Sequence, residues 1–381
     1  MGTTTRTRPT TITATGAVAV LLLTGCTGAD GDAAGSTPTT TTTVTAAPST
    51  PEPTATPEPW GATEPAAALD LDCGSLLSAG TAAAVDASWL PRDAYDRADV
   101  LPDDYAIAQE GGLACQWDNG ERHDGKGNAV GGSGYAGLRV EVLPRAIEDW
   151  ARFVEIYGDG PDVRENCFSG DAVDGPFSAC TSDQLVGDTW VSLSMDGFDL
   201  PAEGDGRQVL APVLAEVTAA VGSADVTEEA SSLGGPLPGW SCVPGAELEA
   251  AAVPELDGSS LRLPTGGWSL YASAWARAQA VRCSTTPDGG TRLTTEGVLV
   301  GGAWALRQRL EFDHVDEGAA VTVAGLDDGS AFRTCDDAGC TTDLVIGEDW
   351  VRLVVRREAV PDAEGASERY TAAYVERATA A

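Results

Sequence analysis

The sequence predicts an α+β protein built from two tandem copies of one domain. Each copy is expected to be an antiparallel sheet with helices on one face and two disulfides. Three observations carry this expectation. The cysteines recur: Cys73 to Cys115 spans 42 residues and Cys242 to Cys283 spans 41, while Cys115 to Cys167 and Cys283 to Cys335 each span 52. The block CTSDQLVGDTWVSL at 180–193 aligns without gaps to CTTDLVIGEDWVRL at 340–353, with seven of fourteen positions identical. Hydrophobic residues also fall at period two in some stretches and at helical spacing in others. A repeat of this length is a duplication rather than a solenoid.

The elements follow in order. Ser75–Ala87, directly after Cys73, reads as a helix. Leu138, Val140 and Val142 alternate with Arg139 and Glu141, which predicts a half-buried antiparallel strand over Gly137–Pro144. Pro144–Tyr157 reads as a helix: Ile147, Trp150, Ala151 and Val154 share a face, acids sit in the first turn, and Gly158 follows. Val191, Leu193 and Met195 mark a second strand, and Gly206–Val221 carries the apolar stripe of a longer helix. In the second copy, Ala305–Phe312 lies at the same offset from Cys283 as Gly137–Pro144 does from Cys115, which predicts the matching strand. Val351, Leu353 and Val355 predict another strand, and Ser367–Ala380 the closing helix, with Tyr370 and Tyr374 on one face.

The third and fourth cysteines are 13 residues apart in the first copy and 5 in the second. A length change confined between two cysteines points to a bridge closing a surface hairpin, and Asp336-Asp337-Ala338-Gly339 suits its tip. This predicts Cys167–Cys180 and Cys335–Cys340, leaving Cys73–Cys115 and Cys242–Cys283. Four cysteines in a copy allow three connectivities, so the spacing favours this one without excluding the others. Zinc fits poorly. There is no Cys-x2-Cys pair, and His123 and His314 are the only histidines.

Residues 1–25 read as a signal peptide: Arg6 and Arg8, then an apolar run ending in Leu23-Thr24-Gly25-Cys26. That tetrapeptide resembles the bacterial lipoprotein box, which implies that Cys26 is lipidated, as by palmitate, and becomes the first mature residue. Cysteine arithmetic agrees. Nine cysteines leave one over once eight are paired, and Cys26 is the one outside the repeats. The apolar run is short of the ~20 residues that span a bilayer. Residues 26–66 read as a tether, since 27–66 hold twelve Thr and seven Pro and only one large apolar residue, Trp60. The copies are expected at 67–224 and 237–381, with a linker at 225–236 where Gly, Ser, Pro and acids cluster.

Cys73-Gly74-Ser75-Leu76-Leu77 followed by Cys115-Gln116-Trp117 resembles actinobacterial cell-wall lipoproteins, whose domains pair an N-terminal Cys-helix with a Cys-x-Trp strand. Those are similar to the extracellular sensor domains of mycobacterial serine/threonine kinases. The resemblance covers residues 70–222. It implies a disulfide-stapled α+β fold, surface display and a core position for Trp117. The second copy departs from it, because Cys283-Ser284-Thr285 has no Trp.

A net charge of −35, with Lys126 the only lysine, repels phosphate backbones, so nucleic acid is not an expected partner. No Gly-x-Ser-x-Gly, His-Glu-x-x-His or Walker loop is present, so no catalytic residue, metal site or cofactor is expected. His123 lies in a polar loop, and His314 stands beside Asp313 and Asp316, where a surface ion pair is expected. Two readings stay open for Trp190 and Trp350: packed beneath a helix, or exposed for stacking on a ligand. The expected role is a lipid-anchored binding or sensing module on the extracellular face of the cytoplasmic membrane. It would touch the membrane through Cys26 and meet a cell-wall component or envelope protein. The alternatives are an envelope assembly factor and, less favoured, a hydrolase with a dispersed carboxylate site.

Overall fold

Two six-stranded antiparallel sheets with one topology organise the chain. The structure, a computed structural model, describes residues 60, 63–97, 100–121, 134–158, 160, 164–172, 175–200, 205–227, 252–253, 260–262, 267–286, 294–316, 319–358 and 360–380. The first copy runs α1 (Cys73–Leu76), α2 (Ala79–Val85), β1 (Leu90–Asp93), a 3-10 turn (Pro102–Tyr105), α3 (Ala106–Gln109), β2 (Leu113–Asp118), β3 (Gly137–Leu143), α4 (Ile147–Tyr157), β4 (Glu165–Ala172), β5 (Gly175–Val186), β6 (Thr189–Asp196) and α5 (Gly206–Ser223). The second runs β7 (Ser260–Arg262), α6 (Leu270–Arg277), β8 (Val281–Thr286), β9 (Thr294–Leu299), α7 (Ala303–Glu311), β10 (Ala331–Cys335), β11 (Gly339–Ile346), β12 (Asp349–Arg356) and α8 (Ala363–Thr379). The strand orders are β1-β2-β3-β6-β5-β4 and β7-β8-β9-β12-β11-β10. The duplication read from the cysteines is therefore present in the topology.

The long helices form where the stripes required. In α5, Leu210, Val213, Val217 and Val221 pack on Val140, Val191 and Leu193, beside Trp117. In α8, Ala366, Tyr370 and Tyr374 pack on Val351, Leu353 and Val355. Asp205 and Asp362 cap the two helices through the backbone N–H groups of Arg207 and Gly365. The Asp362 cap starts α8 at Ala363, four residues before the expected start. The helix expected at Ser75–Ala87 is broken in two, because Leu77 is extended and the Ser78 side chain caps α2.

One expected element is corrected. Ala305–Phe312 is not a strand; it lies largely within helix α7, and the strand equivalent to β3 is β9. The equal 52-residue spacings conceal compensating changes. Between β2 and β3 there are 18 residues, against 7 between β8 and β9; between α4 and β4 there are 7, against 19 between α7 and β10. Ala303, Trp304, Leu306 and Arg309 are all buried, which is helical rather than alternating spacing.

The bridges Cys73–Cys115, Cys167–Cys180 and Cys335–Cys340 are formed. The latter two join residues that are directly opposite in their hairpins. Cys283 is also disulfide-bonded, while Cys242 lies outside the described residues. The signal, Cys26, His123 and most of the tether lie outside them too. Trp60 does not belong to a free tether: its ring meets Phe332 of the second copy edge-on at 6.1 Å. Val226 bridges Leu69, and Thr227 N donates to Ala68 O at 2.8 Å, so the start of the expected linker is part of the first copy's fold.

Helices also cover the second face of each sheet. Both sheets belong to the one unit that runs Thr56–Ala381. A core common to both copies joins Tyr105, Ile107, Trp150 and Trp190 of the first to Leu270, Trp304, Phe332 and Trp350 of the second. Each sheet thus lies between a long outer helix and shorter inner helices that the copies share.

Replacing both cysteines of the 42-residue loop, Cys73→Ser with Cys115→Ser, is expected to cost about 4 kcal/mol. The same change at Cys335 and Cys340 removes a bridge that closes a separation of only 5 residues and should cost about half as much. Urea unfolding of each double variant checks the ranking.

Candidate functional site

A group of charges around the fully buried Asp103 lies where the two copies meet. Leu101 N donates to Asp104 Oδ2 at 2.7 Å and starts the 3-10 turn, with Pro102 in its first position. The turn directs Asp103 and Asp104 at the second copy. On β8, Arg282 Nη2 lies 2.6 Å from Asp103 Oδ2 and 3.2 Å from Asp104 Oδ1. On α6, the Tyr271 hydroxyl lies 2.9 Å from Asp103 Oδ2 and 2.6 Å from Asp104 Oδ1. Trp275, one turn along the same helix face, donates from Nε1 to Asp103 O at 3.0 Å. Arg282 also sits over the Trp275 ring.

Asp103 is fully buried, and its Oδ1 has no hydrogen-bond partner. Burial, followed by the negative charge of Asp104, pushes its carboxyl up to about 7, against the pull of Arg282. Burial holds the Tyr271 phenol well above its ordinary range.

A second buried pair extends the joint. Arg352 grips Asp343 through Nε–Oδ1 at 2.7 Å and Nη2–Oδ2 at 3.0 Å. Its Nη1 donates to Val100 O of the first copy at 2.7 Å. The Arg309 guanidinium, also buried, donates to the carbonyls of Tyr95 and Arg97. Glu110 meets Arg277 at 3.0 Å, and burial raises that carboxyl. Gln109 Nε2 donates to Val300 O, and Trp304 Nε1 donates to Gln109 Oε1.

Trp190 and Trp350 are fully buried, which corrects the ligand-stacking reading. Each indole instead donates to an aspartate seven residues earlier, across its own hairpin: Trp190 to Asp183 at 2.9 Å and Trp350 to Asp343 at 2.8 Å. Trp190 packs against Trp150 and Phe153 of α4. Trp350 packs on Tyr105 of the other copy. His314 also faces across the joint, with Nε2 2.7 Å from Asp96 Oδ1, rather than serving only the local pair expected from its sequence neighbours. Sequence reasoning missed Asp103, Asp104, Tyr271 and Arg282. It had one usable signal, the Asp and Trp that recur at identical places in both aligned blocks.

Among the described residues, no group of three or more His, Cys, Asp or Glu side chains could hold a metal ion. No helix among them is long and apolar enough to cross a membrane. No family model matches this chain. No curated protein matches it either. Solved structures that are weakly similar include the following. The di-domain ARO/CYC BexL from the BE-7585A biosynthetic pathway is 12% identical, covering 74% of this chain and 93% of its own, with a TM-score of 0.17. DynU16, a putative protein in the dynemicin biosynthetic locus, is 8% identical over 77% and 97%, with a TM-score of 0.13. The di-domain ARO/CYC StfQ from the steffimycin biosynthetic pathway is 10% identical over 76% and 99%, with a TM-score of 0.14. Scores this low carry no functional argument.

Arg352→Met leaves Asp343 buried without its cation and is expected to cost about 3–5 kcal/mol. Adding Asp343→Leu should return part of that loss, because the stranded charge is then gone. Chemical denaturation of the two variants checks the order.

Proposed function

We propose that the chain is a lipid-anchored, non-catalytic binding or sensing module of the cell envelope. It is held to the membrane through Cys26 and displayed on the extracellular face of the cytoplasmic membrane. The cysteine inventory carries this reading. Seven of the eight cysteines beyond residue 70 are disulfide-bonded, as suits an oxidising compartment, and Cys26 stands outside the repeats at the end of the signal-like stretch. In the joint, Arg282 on Asp103 and Arg352 on the Val100 carbonyl hold one copy to the other, and the large aromatics fill the shared core. The resemblance to actinobacterial cell-wall lipoproteins agrees with surface display, and the anchor and tether make a cell-wall component or an envelope protein the proposed partner.

Anchoring is tested in a bacterial host that acylates lipoproteins. The wild-type chain should partition into detergent and carry an acyl mass on Cys26, whereas Cys26→Ala should be recovered without acyl chains and free of the membrane. A wild-type mature protein that lacks acyl chains would overturn the anchor.

A further inference from the structure

We propose that Asp103 and Asp104 share a single proton through the Tyr271 hydroxyl, and that this proton fastens the two copies together in an acid-tightened joint. The inference rests on the contacts between the copies and is independent of the anchor. The hydroxyl of Tyr271 is within hydrogen-bond distance of one oxygen from each carboxyl, 2.9 Å to Asp103 and 2.6 Å to Asp104. A neutral phenol has one proton and donates to one of them. Two negatively charged oxygens at these distances would leave the other contact repulsive. A proton on one carboxyl turns it into a donor to the phenol oxygen, and both contacts become hydrogen bonds.

Charge counting agrees. Arg282 Nη2 reaches both carboxyls, so one cation faces two acids. Fully ionised, this local group would carry a net negative charge around the buried Asp103; with one proton it is neutral. Among the described residues, the surrounding elements supply no second cation to Asp103. From β12, Arg352 is engaged with Asp343 and Val100 O. From α7, Arg309 donates to Tyr95 O. From β3, Arg139 is attracted to Asp104 but lies 2.7 Å from Glu141. From β9, Gly297 brings no charge, and Trp275 from α6 meets only the Asp103 carbonyl.

The sign follows from proton linkage. Asp103 holds its proton up to about pH 7 in the closed joint. In an open joint it releases the proton near the ordinary aspartate value of about 4. The closed form therefore binds the extra proton between those limits, and its stability falls as pH rises through that window and levels above it. Opening would expose the 3-10 turn, α3, α6 and β8, while the outer helices stay packed on their sheets.

Hydrogen–deuterium exchange of the full chain in detergent, corrected for intrinsic rates, reads this directly. Between about pH 5 and pH 7.5, protection of peptides from 102–109 and 270–286 should fall by on the order of tenfold or more, with peptides from α5 and α8 unchanged. Asp103→Asn, neutral at every pH, should remove that dependence while keeping protection high at about pH 7.5. If this variant fails to fold, the wild-type profile still decides. A joint whose protection is flat over the range, or that loses protection equally in Asp103→Asn, overturns the proposal.

Discussion

The structure depends on one insertion: the segment from Val100 to Tyr105 of the first copy lies on the inner face of the second copy's sheet. Arg352 takes the Val100 carbonyl, Arg282 takes the two carboxylates, and Tyr105 stands edge-on to Trp304 and Trp350. Backbone, charge and aromatic contacts therefore converge on six residues. The desolvation cost of burying these charges is offset only when all their partners are in place, so the segment is held in a single register.

Strand register shows why the insertion runs in one direction. Cys115 faces Val140 in the first sheet, as Cys283 faces Glu296 in the second. One residue along, the row Ala114–Glu141–Ser192 corresponds to Arg282–Gly297–Arg352. At Gly297 an added Cβ would lie 2.8 Å from Pro102 Cδ, so the absent side chain makes room for the turn. The first sheet has Glu141 at that place, paired with Arg139, and lacks both receiving arginines. The second copy reaches back differently: Trp268 docks on α4, donating to Asp149 O at 2.9 Å with Arg152 over its ring. Two copies with one topology have thus diverged into a donor and a receiver.

Much of the fold was legible because its signals are local. Cysteine spacing, the aligned hairpin block and the stripes of α5 and α8 depend on neighbours in the chain, and they located the duplication and three bridges. Spacing misled where two loop changes cancelled, which placed a strand on α7. The joint was hardly legible. Asp103, Asp104, Tyr271 and Arg282 are ordinary in sequence and gain meaning only when residues about 170 apart meet. The recurring Asp and Trp of the hairpins were visible, but Trp190 and Trp350 alternate with the apolar Val191, Leu193, Val351 and Leu353, so alternation alone put each Trp on the opposite face and left it packed or exposed. For Trp190 that face is covered by α4 of its own copy, and for Trp350 by Tyr105 of the other copy, facts of tertiary packing that no periodicity records.

The two copies form one body rather than two modules on a string. Differential scanning calorimetry of the whole chain tests it most directly. A single transition with calorimetric and van't Hoff enthalpies in a ratio of about one is the expected result. Two separable transitions, one for each copy, would contradict the account.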